Sequence, residues 1–104
     1  MNHLDARAVR GRILRILEFA SPYPTDEHTI WLSLQDAKYE VVQSEVPRHM
    51  DYLRNKGYVR SEKGNHPDFG VVWSHYLTPE GDDLLKGYIP PDPGISTPST
   101  GHNG

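Results

Sequence analysis

Cysteine is absent from this chain, so neither a disulfide framework nor a cysteine zinc site is available to it. No stretch approaches the ~18 consecutive apolar residues of a membrane span. Met1-Asn2-His3-Leu4-Asp5 does not read as a signal peptide, and a soluble, cytoplasmic protein with no membrane partner is expected. Histidine pairing is lacking too: His3, His28, His49, His66, His75 and His102 never fall at the spacing of a zinc-binding helix. The trio His66, Asp68 and His75 is too weak a pattern to set against that. There is no nucleophile elbow and no Gly-rich loop between a strand and a helix. No metal, cofactor or enzymatic activity is therefore expected.

An excess of positive charge is also missing. The net charge is −3, which taken alone argues mildly against a nucleic-acid partner. The distribution matters more: residues 1–17 carry +3 and 41–66 carry +2, against −4 for each of 18–40 and 67–104. Phosphate contacts would need basic segments of this kind, although these are modest in size.

At 104 residues the chain suits one small domain, near the lower size at which a core stabilises itself unaided. That domain should occupy 1–89. From Pro90 the composition turns to PPDPGISTPSTGHNG, too poor in apolar side chains to offset chain entropy, so 90–104 is expected to be a flexible tail.

Asp5 to Ala20 places Val9, Ile13, Ile16, Leu17 and Ala20 on one helical face, with Arg7, Arg10, Arg12 and Arg15 over the remainder. The opposite side holds Leu4, Gly11 and Leu14. A mid-helix glycine costs about 1 kcal/mol against alanine, and close approach by a partner helix is one reason to tolerate it. A homodimer through Leu4, Gly11 and Leu14 is expected; the plainer alternative is a frayed Leu4 and one exposed Leu14. Ser21-Pro22-Tyr23-Pro24 must break the helix. Thr25 then caps a second helix over Asp26 to Lys38, with Ile30, Trp31, Leu34 and Ala37 as its buried stripe. Tyr39 to Val42 is β-rich and is expected to supply a third strand.

Val46, Met50 and Leu53 share one face of a third helix from Ser44 to Lys56. Pro47 is tolerable there only near the start, where its missing N–H has no intrahelical partner. Gly57 can take the left-handed conformation that stops the helix, and Tyr58 to Ser61 has strand character. Gly64 to Gly70 is dense in turn formers, and Val71 to Leu77 returns as a second strand, so the pair reads as a hairpin. Trp73 is assigned to the core, because so small a domain needs its large aromatics buried. Thr78-Pro79-Glu80 starts a last helix that runs through Leu84 and Leu85 to Lys86 and stops at Gly87.

RHMDYLRNKGYVRSEKG followed by HYLTPEGDDLL resembles the recognition helix, wing and final helix of winged helix-turn-helix DNA-binding domains, with LRNKGYV and LTPEG at the junctions. The likeness spans roughly residues 4–88. Including Pro93-Gly94-Ile95, the chain is also similar to a group of small winged-helix proteins encoded by Mu-like prophages. The resemblance implies an α+β winged helix-turn-helix: a three-helix core, a β-hairpin wing and a short C-terminal helix. It further implies a duplex-DNA-binding regulator of transcription, of phage or prophage origin.

On the third helix the outward side chains are Ser44, Arg48, Asp51, Tyr52 and Asn55, flanked by Arg54, and these are the candidate DNA contacts. Asp51 opposes that reading unless it pairs with Arg54 or Arg48, or accepts from a base. On the hairpin, Arg60, Lys63 and His66 are candidates for the flanking backbone or the minor groove. The alternative is a protein-interaction adaptor in a phage assembly or host-takeover complex, in which the same face meets a protein.

Overall fold

Asp5 opens the first helix: its carboxylate accepts the backbone N–H of Arg7 at 3.0 Å. The computed structural model describes residues 5–97. Its elements are α1 (Ala6–Ala20), β1 (Thr25–Asp26), α2 (Glu27–Asp36), α3 (Val46–Asn55), β2 (Val59–His66), β3 (Gly70–Leu77) and α4 (Pro79–Lys86), with a 3-10 turn over Gln43–Glu45. The strands form one antiparallel sheet in the order β1-β3-β2, making an α+β fold of four helices and three strands.

α1 is buried on more than one side. Val9, Ile13 and Leu17 face the core, and so do Gly11 and Leu14, because α2 and α3, β3, and α4 all pack against this helix. Leu14 is 0% exposed. The face expected to meet a second copy is therefore enclosed by the chain's own elements, while Leu4 lies outside the described residues. Phe19 is the apolar residue that α1 exposes, at 93%.

After the break at Ser21 to Pro24, Thr25 and Asp26 pair with His75 and Ser74 of β3. The third strand thus comes from here and not from Tyr39 to Val42. The chain turns at Ser21–Tyr23, where the Tyr23 N–H donates to the Ala20 carbonyl at 3.0 Å, and the backbone of Thr25 and Asp26 then meets the edge of β3. Thr25 is a strand residue, so Asp26 becomes the helix cap, accepting from the Thr29 N–H and hydroxyl. α2 stops at Asp36, and Val41 is a buried plug whose carbonyl accepts from the Trp31 indole at 2.8 Å.

α3 begins at Val46 after the 3-10 turn, with Pro47 in its first turn, and buries Val46, Met50 and Leu53. Gly57, at φ +85°, ends it and aims the chain into β2. β2 runs on to His66, so Gly64 and Asn65 pair with Val72 and Val71, and the tip shortens to Pro67-Asp68-Phe69. Exposure rises outward along one face of β3: His75 0%, Trp73 40%, Val71 59%. Trp73 is consequently not a core residue; the hairpin projects past the helices that cover His75.

Thr78 caps α4, accepting from the Gly81 N–H and donating to the Gly57 carbonyl at 2.7 Å. A side chain at Gly81 would collide with the Tyr58 carbonyl, so α4 packs there backbone against backbone. Beyond α4, residues 90–97 do not leave the domain. Asp92 and Ile95 are buried, and the Ser96 N–H donates to the Arg7 carbonyl. This C-terminal strap lies against α1 and α3; residues 98–104 fall outside the described part.

Candidate nucleic-acid interface

Burying Val46, Met50 and Leu53 obliges the rest of α3 and its approach to face outward. Ser44, Arg48, Asp51 and Asn55 are exposed, and Arg54 is half-buried. Arg54 turns toward the sheet. It donates to the Ser61 hydroxyl at 2.9 Å, forms a close ion pair with Asp51, and lies over the Trp73 ring at 5.8 Å. The Asp51 carboxylate is thus matched by a guanidinium one turn along, which lessens its repulsion of an incoming phosphate.

Tyr52 is not on the open face. Its hydroxyl donates to Asp92 at 2.9 Å and Arg10 stacks on its ring at 3.9 Å, so the C-terminal strap covers it. Asp92 also accepts from the Tyr58 hydroxyl and the Gly94 N–H. Burial opposes its charge, but these donors outweigh burial and hold its carboxyl below the usual range. Burial, with the same carboxylate as acceptor, pushes the Tyr58 phenol up to about 12. A side chain on Gly94 would strike the Tyr52 hydroxyl.

A polar chain crosses from α3 to the start of α2. From Arg54 it passes to the Ser61 hydroxyl, on to His75 Nδ1 at 2.7 Å, and from His75 Nε2 to Glu27 at 3.0 Å. This order assigns the Nε2–H tautomer to a neutral His75. Burial pulls the His75 pKa down and wins over the hydrogen bond to Glu27. The relay ties the hairpin to both helices, so α3 and the hairpin present their outer surfaces together.

On the hairpin, Arg60 pairs with Glu62 at 2.7 Å and stacks on Tyr76 at 4.1 Å. Lys63 lies 5.7 Å from the Trp73 ring centroid. His66 accepts from the Asp68 N–H and stacks on Phe69 at 4.6 Å. The expected residues therefore fall into two groups. Ser44, Arg48 and Asn55 project to solvent, and so do Lys63 and His66 beside the Trp73 and Phe69 rings, whereas Asp51, Tyr52, Arg54 and Arg60 are held by other side chains through an ion pair or a hydrogen bond. Among the described residues, Arg48 and Lys63 are the cations of this set with no carboxylate within ion-pair distance.

Two features had no clear sequence signal. Asp92 lies in a Pro/Gly-rich stretch that reads as unfoldable, and His75 gains its role from two residues distant in sequence. The alternation of Val71, Trp73, His75 and Leu77 groups the right side chains but does not say where along the strand the covering helices stop. No family model matches the chain, and no curated protein matches it.

Proposed function

We propose that this chain is a winged helix-turn-helix protein that binds duplex DNA, as a regulator of transcription would. In this reading the start of α3 enters the major groove and the β2–β3 hairpin reaches the flanking backbone. The observation that carries it is that Ser44, Arg48 and Asn55 are exposed on or just before α3, which the relay locks to a projecting hairpin bearing Lys63. Arg48 has the chemistry for guanine or phosphate and Asn55 for adenine or phosphate. The element order α1-β1-α2-α3-β2-β3-α4 is compatible with that fold.

Fluorescence anisotropy with random-sequence duplex at several salt concentrations is the test, because a phosphate-driven complex must weaken steeply as salt rises. Arg48→Ala is expected to cost about 1–3 kcal/mol on a preferred site, and Lys63→Ala to reduce the salt slope by about one. Absence of binding at low salt overturns the reading. The second reading, a protein-binding adaptor, is favoured by the exposed apolar run Phe69, Val71 and Trp73, which duplex phosphates do not explain.

A further inference from the structure

A cavity of about 600 Å³ lies between the start of α2 with the 3-10 turn, which contribute Asp26, Glu27, His28 and Gln43, and the outer half of the hairpin, which contributes His66, Phe69 and Val71 to Trp73. Consecutive strand residues point to opposite faces. A cavity touched by three in a row therefore takes in the strand's edge and is not confined to one face, and His66, opposite Gly70 on β2, closes it at the hairpin tip. The opposite edge of β3 is held by β2 along its full length. The edge on the cavity is the one that β1 begins to cover: Thr25 and Asp26 pair with His75 and Ser74, and the chain then leaves the sheet to start α2. Among the described residues, Gly70 to Trp73 have no strand partner on that side. Alternate backbone groups of this stretch are aimed at the cavity, flanked by exposed Val71 and Trp73 and, at the tip, Phe69.

We propose that this edge is a strand-addition site, taking an extended segment of a partner protein in line with β1. Main-chain hydrogen bonds to Gly70–Trp73 would hold the segment, and its apolar side chains would cover Val71 and Trp73. The charged groups lining the cavity are the carboxylates of Asp26 and Glu27, so the segment carries basic side chains between its apolar ones. The same carboxylates disfavour a nucleic-acid strand here. The site uses none of the exposed α3 residues and stands whether or not α3 binds DNA.

The test is a titration of the full chain, followed by NMR, with a short capped peptide alternating valine and lysine. Expected are saturable shifts at Val71–Trp73 and slower amide exchange at alternate positions of Gly70–Trp73. Binding should weaken by about tenfold or more when glutamate replaces the peptide's lysines, or in the Val71→Lys chain, whose substitution is at an exposed position. N-methylation of alternate peptide nitrogens should abolish it. No saturable shift at millimolar peptide, equal binding of the N-methylated peptide, or equal binding of the glutamate peptide overturns the proposal. Arg48→Ala weakens DNA binding and leaves this titration unchanged, so the two readings fail separately.

Discussion

Lys38 adopts φ +69° where α2 ends, a conformation in which its Cβ crowds the backbone. The conformation is imposed by the bonds that close the helix: the Tyr39 N–H reaches the Leu34 carbonyl at 2.8 Å and the Lys38 N–H reaches Gln35 at 2.9 Å. Gly57 makes the same closure after α3, where glycine removes the clash. Lys38→Gly should therefore stabilise the domain by about 0.5–1 kcal/mol, offset in part by the greater freedom of glycine in the unfolded chain. The expected readout is a higher urea midpoint with an unchanged slope. A lower midpoint would mean that the Lys38 side chain makes a contact worth more than the strain.

α1 and the C-terminal strap show how an element's surroundings override its pattern. Leu14 belongs to the face whose pattern suits a second copy, yet it is enclosed within its own domain. Leu14→Glu buries a carboxylate without a partner and should cost several kcal/mol, about 3–5, comparable with the whole stability of a small domain. Loss of the helical circular-dichroism signal is the expected result; a folded Leu14→Glu chain would contradict the packing of α1. For the strap, a stop after Ile89 removes both the Ile95 plug and the Asp92 acceptor of two phenols. The loss should be about 2–5 kcal/mol, seen as a lower Tm, and it uncovers Tyr52. An unchanged Tm would show that residues 90–97 contribute nothing to folding.

For the molecule as a whole, acid should act in two steps. Burial depresses the pKa of His75, and burial with nearby Arg10 depresses that of His49. Each stays neutral in the folded state below 6.5, where the unfolded chain takes up protons. Stability is thus fully present above about pH 6.5 and falls as the pH drops from there toward the folded-state values. Asp26 and Asp92 are held below 3.8 by donated hydrogen bonds that outweigh their burial, so their contribution persists above that value and is lost as the pH falls through the lower range. Urea midpoints measured across pH 4–8 should show the first decline beginning below about 6.5, reduced in His49→Gln. A flat profile over that interval would refute the assignment of buried His75 and half-buried His49 as neutral groups.

Helix positions were legible from periodicity and punctuation because those signals are local. Val46, Met50 and Leu53 face inward since their spacing allows one apolar face, and Pro47, Gly57, Thr78 and Gly87 bound their helices through backbone geometry that each residue carries with it. Pairing and coverage are not local. Thr25 and Asp26 join the sheet because the edge of β3 is beside them, although their composition reads as a helix start. Trp73 is exposed and Leu14 buried because of where other elements end, a matter of distance between chain segments that no window along the sequence contains. The same holds for the strap: 90–97 has too few apolar residues to fold alone, but Ile95 and Asp92 need only a surface already built, and Arg10, Tyr52 and Tyr58 provide it. Tertiary structure thereby decides which of the outward-reading side chains remain open to a partner.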